Sequence, residues 1–471
     1  MKEFSLMQSG DRSAMLGSMP MARLVPKVSL PIMFSMLVQA LYNVVDSIFV
    51  SRFDPNGLTA VSLGAPFQFL MIALSTGMGT GINSLLSRRL GEQNAEGAKR
   101  ASWNGLLIEL LGSGLFILFG LLLAGPAMRL VVSENLANAE SILAMGREYL
   151  VIVTVFSSGI FVAIFFERML QATGNSMLSM VAQLCGAVAN IVLDPIMIFG
   201  LLGCPRMGVA GAAIATVIGQ FISAGVGFWL NQKKNPELRL ARKFLQINKG
   251  DLSGIISVGL PSTVMASIGS VMNLGMNGIL SGFAQSNAAL NVMAVYFKLP
   301  SFIFMPVFGL SNGIIAVIAY NYGARIRERV YSCIKVALIW ACTIMLVGML
   351  IFLLFPGQLM AIFESEAEAE ITAQMSDIGV VAMRIIASSF LFAAIGITLS
   401  TVFQAVGRGT YSMIMSISRQ LVILLPAAWI IARLTNDVKA VWWCFPIAEL
   451  AALIICALYY RKCNRELLSR L

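Results

Sequence analysis

Long apolar runs alternate with short polar connections along the whole chain. Twelve runs reach the length that a helix needs to cross a bilayer, about 20 residues. They are 24–50, 58–86, 101–125, 148–170, 176–202, 209–230, 252–280, 287–320, 331–355, 378–404, 411–433 and 438–460. The pattern predicts an all-α integral membrane protein with twelve transmembrane helices. Several runs are longer than one crossing requires, so tilted or bent helices are expected. Pro31, Pro66, Pro195, Pro261, Pro300 and Pro306 fall inside runs and mark the expected bends, because proline removes a helical hydrogen bond.

The first run carries a polar stripe. Ser35, Gln39, Tyr42, Asn43 and Asp46 follow steps of three and four, which places them on one helix face. A carboxylate at mid-membrane costs about 2.5–3.5 kcal/mol on insertion scales. A helix facing lipid has no use for such a stripe, whereas one lining a polar cavity does.

Twelve crossings put both termini on one side. With that side taken as the cytoplasm, 24 of the 33 Lys and Arg residues lie in inner segments, 6 in outer segments and 3 inside runs. The bias supports twelve crossings with both ends inside. Residues 1–20 are polar and broken by Gly and Pro, which does not resemble a cleavable signal. The longest polar connection is Asn231–Gly250, NQKKNPELRLARKFLQINKG. It reads as a cytoplasmic linker with a basic amphipathic helix on the inner surface. The predicted organisation is an N-lobe over 1–232, a linker over 233–250 and a C-lobe over 251–471.

The two halves look like copies. Leu30-Pro31 matches Leu260-Pro261, Asn43 matches Asn273, and GMGTGI at 77–82 matches GLSNGI at 309–314. QATGNSMLSM at 171–180 matches QAVGRGTYSM at 404–413. Each half has an even number of runs, so the copies share one orientation, with a pseudo-symmetry axis along the membrane normal. Such a repeat suits a transporter that alternates access by rocking one half on the other.

Charges inside the runs are the candidate chemistry. Asn190 and Asp194 in NIVLDP are spaced i,i+4 and share a face, with Gln183 on the same side. Asp46 and Asp194 fall at similar depth in the outer half. Two carboxylates sharing a cavity resist joint ionisation, so the pair can exchange a proton near neutral pH or hold sodium with amide and hydroxyl oxygens. The alternative is two aspartates capping local polar contacts at the membrane edge. Glu109 either lines the cavity or pairs near the inner interface, and Glu167 and Arg168 read as a solvated interface pair. In the second half Met276 stands where Asp46 does. Lys298, Arg384 and Arg419 fall within runs there, with Glu449 in the last run. Lys298 and Arg384 either snorkel or sit deep enough to meet Glu449 or an anionic group of a cargo.

Composition narrows the reading. Charged residues make up 12% of the chain, against about 25% in soluble domains. The net charge of +10 is spread in short clusters between apolar runs, which argues against nucleic-acid binding. There is no histidine, which removes histidine-based catalysis, metal ligation and proton relay together. The seven cysteines form no C-x-x-C and read as small packing residues. No catalytic motif and no cofactor are expected.

These residues resemble the multidrug and toxic compound extrusion (MATE) family, in its DinF-like prokaryotic branch. The resemblance covers nearly the whole chain. It is carried by QALYNVVDSIFV, the glycine-rich run over Gly77–Glu92, NIVLDPIMIFG at 190–200, GVAGAAIAT at 208–216 and YNYGA at 320–324. It implies a multi-pass protein of the bacterial cytoplasmic membrane with both termini cytoplasmic. The implied function is antiport of amphipathic, often cationic drug-like compounds against H⁺ or Na⁺. The implied ion site is Asp46, Asn190, Asp194 and Thr216 with the Ala212 carbonyl, Na⁺ being one candidate ion at Asp46, Asn190 and Asp194. Pro31 matches the family's bending proline. The expected cavity lining is Gln39, Tyr42, Asn43, Gln183, Asn273, Lys298 and Arg384. A monomer in contact with membrane lipid is expected. A lipid-linked saccharide flippase of the same superfamily and a non-transporting membrane scaffold remain alternatives.

Overall fold

A computed structural model describes residues 13–132, 138–362 and 369–471, apart from the side chains of 43, 44, 55 and 369–372. The described residues are almost entirely helical. A short helix α1 (Ala14–Ser18) precedes α2 (Met21–Phe53), α3 (Pro55–Gly91) and α4 (Ala95–Leu122). After α5 (Ala124–Val131) come α6 (Ala139–Val155), α7 (Ser158–Ala172), α8 (Ser176–Phe199) and α9 (Val209–Lys234). The second half holds α10 (Lys249–Leu280), α11 (Ser286–Lys298), α12 (Ser301–Gly323), α13 (Arg327–Leu354) and α14 (Pro356–Ala361). It continues with α15 (Ala369–Ala387), α16 (Phe390–Ala405), α17 (Gly409–Ile417), a π-helical segment (Ser418–Leu424) and α18 (Leu425–Thr435). Then α19 (Val438–Val441) and α20 (Cys444–Glu466) close the chain.

Ten helical stretches are long and apolar enough to cross a membrane, and twelve result when each bent pair counts as one span. The bent pairs are α6–α7, at 45°, and α15–α16, at 49°. The protein is therefore a multi-pass membrane protein of two six-span lobes. Apolar run length dictates the spans, and side-chain caps set several starts. Asp54 accepts from the Asn56 N–H at 2.9 Å, Asn94 from Gly97 at 2.8 Å and Asn248 from Asp251 at 3.0 Å. Each cap satisfies an amide that the first helical turn leaves unpaired.

The prolines behave unevenly. The chain breaks at Leu299–Pro300, between α11 and α12. Pro31, Pro66, Pro195, Pro261 and Pro306 instead sit inside continuous helices. The two sharpest bends carry no proline. They fall at Phe156–Ser157 and at Ser388–Ser389, where serine hydroxyls bond to nearby carbonyls such as Ile385 and Ile386. The linker is also not the helix its basic pattern suggests. Only two short 3₁₀ turns form, Pro236–Leu238 and Arg242–Phe244. The extended backbone on either side of the second turn is tied to α4 by polar bonds: Trp103 donates to the Ala241 carbonyl and Asn104 to the Gln246 carbonyl.

The lobes meet through α3 on α10 and α2 on α12. Small residues permit this. At Gly77 an added Cβ would collide with the Thr263 backbone, and at Gly91 with the Tyr320 carbonyl. Ser84 Oγ donates across the seam to the Gln404 carbonyl at 2.9 Å and to the Ala405 carbonyl at 3.1 Å. Asp251, at the start of α10, is fully buried and accepts from Arg100 at 2.9 Å and Arg89 at 3.3 Å, both of the first lobe. Helix α1 lies over the same end. Its Leu16 and Met19 carbonyls accept from Arg329, and the Ser13 N–H donates to Glu237 of the linker. All these contacts fall in the linker-side halves of the spans, so the interface is sealed at that end.

Glycine at 91 is therefore a seam residue. Gly91→Val should destabilise the sealed form by about 1–3 kcal/mol, the usual cost of overpacking. With native cysteines replaced, Ser84→Cys paired with Ala405→Cys should cross-link readily, and Gly91→Val should lower the yield severalfold. An unchanged yield would show that the seam tolerates the side chain.

Candidate functional site

The stripe on α2 turns inward, into the first lobe. There it meets α8 and α9, which pack tightly on each other because Gly186 and Gly219 bring their backbones together. A cavity of about 140 Å³ lies among α2, α3, α7, α8 and α9, with Gln39, Tyr42, Gln183, Asn190, Thr216 and Arg168 on its wall. Gln183 donates to Gln39 at 3.1 Å, joining α8 to α2 across it.

Beside this cavity the Asp46 and Asp194 carboxyl groups lie within hydrogen-bond reach of each other. Asp194 is fully buried, and Asn190 is 3% exposed. Asn190 Nδ2 donates to Asp194 Oδ1 at 3.2 Å and to Thr216 Oγ1 at 3.4 Å. These bonds hold the amide but leave its oxygen free. Asp46 Oδ1, Asn190 Oδ1 and Asp194 Oδ2 are all buried and accept no hydrogen bond from the described residues. Unmet buried acceptors are costly, and three acceptor oxygens clustered this way are the donor set a hard cation or a proton requires. Among the described residues no group of three or more His, Cys, Asp or Glu side chains is placed to hold a metal ion. Ala212 is fully buried on α9, one helical turn before Thr216.

The other residues singled out in the sequence divide clearly. Gln39, Tyr42 and Gln183 line the cavity; the Asn43 side chain lies outside the described residues. Asn273 is half-buried on α10 and not part of this lining. Lys298 and Arg384 are exposed and also lie outside this first-lobe lining. The partner of Glu449 is Arg419, at 2.9 Å. Pro31 lies within α2, which continues through both Pro31 and Pro26.

Glu167 and Arg168 require a correction. They are 9% and 7% exposed and line the cavity, where a solvated pair was expected. The bend before α7 swings this segment into the lobe. Arg168 Nη1 donates to Gln171 Oε1 at 2.8 Å, and Gln171 passes the bond to Ser179 at 3.0 Å. Glu109 is fully buried and accepts from Ser75 Oγ at 2.9 Å.

Two lining residues of α9 escaped the sequence reading although the signal was present. Gln220 and Ser223 follow Thr216, itself already singled out, in steps of four and three on α9, the same rule that exposed the stripe on α2. Asn312 reaches the wall from α12, across the lobe interface, and no local pattern could have placed it there.

Comparison with known proteins gives a consistent picture. The MatE family model matches residues 31–196 and 261–430. Multidrug export protein MepA of Staphylococcus haemolyticus is 27% identical over 93% of each chain. MepA of Staphylococcus aureus strain MRSA252 is equally similar, with the same coverage. A solved outward-facing multidrug resistance MATE family transporter superposes with a TM-score of 0.88 at 25% identity, over 98% of this chain and 100% of its own. A MOP superfamily transporter from Pyrococcus furiosus, described as having a binding pocket of reverse polarity, gives 0.88 at 25% identity over 98% and 99%.

The Ser75–Glu109 bond gives a direct check on the buried network. Ser75→Ala removes the one hydroxyl donor and should cost about 1–3 kcal/mol, read as a lower melting temperature of the purified protein in detergent. Ser75→Thr should restore most of it. An unaltered melting temperature in Ser75→Ala would mean that Glu109 finds another partner.

Proposed function

The chain belongs to the MatE family, and from that premise we propose that it is a secondary active multidrug exporter, antiporting amphipathic, often cationic organic compounds against H⁺ or Na⁺. The observation that carries the coupling half of this reading is the trio of unmet buried acceptors at Asp46, Asn190 and Asp194. A cation entering there gains two carboxylate oxygens and an amide oxygen already held in place. The Thr216 hydroxyl and the Ala212 carbonyl are the further oxygens within the same helical turn of α9. A proton taken up between the facing carboxyls satisfies them by a different route, so the site suits either ion.

Coupling follows from shared space. Asn190 and Thr216 belong both to the ion site and to the cavity wall. An amine or other cationic group in the cavity competes electrostatically with the coupling ion for the same pair of negative charges. Binding one therefore weakens the other, and a ligand moves a conformational equilibrium only by binding its states unequally. In α2 the missing amides of Pro26 and Pro31 leave the Ala22 and Lys27 carbonyls without their helical partners. We assign to Pro31 the hinge that lets this helix change shape when the nearby charge is neutralised. The linker end faces the cytoplasm of a bacterial plasma membrane in this reading, and the sealed linker-side interface corresponds to an outward-open state.

The decisive experiment is dye efflux in proteoliposomes with pH and sodium gradients imposed separately. One gradient should drive export by the wild type. Asp46→Asn and Asp194→Asn should each reduce it to the level of empty vesicles while the proteins remain folded and still bind dye. Full gradient-driven export by Asp46→Asn would overturn the assignment of the ion site.

A further inference from the structure

The second lobe lacks the acid pair, yet it holds charges of its own in the corresponding place. The register that aligns Gln171 with Gln404 also aligns Gly186 with Arg419 and Thr216 with Glu449. Ile214-Ala215 then falls on Ile447-Ala448, so the register holds into the last span. Gly186 and Thr216 both line the first-lobe cavity. Their counterparts sit where the second lobe would present a ligand-facing wall.

Arg419 and Glu449 form an ion pair at 2.9 Å, with side chains 19% and 17% exposed. Arg419 lies about 15 Å of helix beyond Gly409, which is the depth of the bilayer centre. The pair is incomplete. A guanidinium offers five N–H donors, and among the described residues Arg419 makes one hydrogen bond, from Nη1 to Glu449 Oε1. Its Nε is buried without a partner. A charge at this depth with its fork unused is expensive. It is retained where a second acceptor completes it.

The backbone favours the same reading. Arg419 stands in the π-helical segment Ser418–Leu424, directly before Pro426. Proline cannot supply the amide for the Val422 carbonyl, and a wider turn relieves that defect. Its neighbour Gln420 faces open space at α10: an added Cβ at Gly269 would meet Gln420 Oε1 at 3.8 Å and nothing else within 4 Å. Gly396 on α16 is buried, yet a Cβ there would touch nothing within 4 Å. Tyr296 of α11 packs on Phe445, one helical turn before Glu449, with ring centroids 4.8 Å apart.

We infer that Arg419, held by Glu449, is an anion-recognition point in the second lobe that takes the carboxylate of zwitterionic amphiphiles. The inference rests on the export reading for its biological sense but not for its test. A zwitterion would address the two lobes with its two ends, its amine toward the acids of the first lobe and its carboxylate toward Arg419. Planar, two-oxygen recognition is what a guanidinium provides and a lysine does not. A purely structural ion pair would show no preference between a carboxylic acid and its ester.

The test compares rhodamine 110, which carries a free carboxylate, with rhodamine 123, its methyl ester. Binding to the purified full-length protein in detergent is followed by fluorescence anisotropy, so no transport is required. Wild type should bind both dyes. Arg419→Gln should weaken rhodamine 110 about tenfold or more, the scale of a lost charge-assisted hydrogen bond, and leave rhodamine 123 within about twofold. Glu449→Gln frees the guanidinium and should strengthen rhodamine 110 selectively, a gain that misfolding cannot imitate. Equal effects on both dyes, no effect on either, or no binding of rhodamine 110 by the wild type would overturn the proposal. If binding follows these expectations while gradient-driven efflux fails, the export reading falls and this site stands.

Discussion

Two carboxylates brought face to face inside an apolar bundle cannot both remain charged without compensation. That constraint organises the first lobe. Asn190 is turned so that its amide steadies Asp194 and Thr216, which leaves its oxygen unmet beside those of the two acids. The backbones of α8 and α9 can hold this arrangement because glycines let them touch. The stripe on α2 faces inward for the same reason, since any other rotation would expose Asp46 to lipid. The site is thus built to need something from outside the protein.

The second lobe uses the same scaffold and answers the opposite question. Its span-one equivalent carries Met276, fully buried, in place of the acid. Its charges come instead at Arg419 and Glu449, which compensate each other in part. Duplication supplied the frame, and polarity was then distributed unequally between the copies. Cavity chemistry is therefore asymmetric even though the helix plan repeats.

Much of this was legible in the sequence because lipid imposes a long, simple code. Apolar run length located the spans, most of them within a few residues, though the fourth and tenth runs begin about nine residues after their helices do, and helical periodicity found the α2 stripe, Asn190 and Asp194. What failed did so for identifiable reasons. The bends at Phe156–Ser157 and Ser388–Ser389 lack the proline that would have flagged them. One of them reversed the environment of Glu167 and Arg168, since charges near a run's end look solvated until the helix is seen to turn inward. The basic linker had helical composition, yet its backbone is claimed by Trp103 and Asn104 of α4. Asn312 and the pairing of Arg419 with Glu449 depend on contacts distant in sequence.

Helix α1 has an implication for the order of biosynthesis. Its partners are Glu237 in the linker and Asn321 and Arg329 at the α12–α13 junction. A ribosome makes α1 long before any of them. The segment must therefore wait at the membrane surface while eight spans are threaded, and it can settle only after the second lobe has begun to assemble. Its docking is a late event in maturation, so this small helix serves as a marker that both halves have come together correctly.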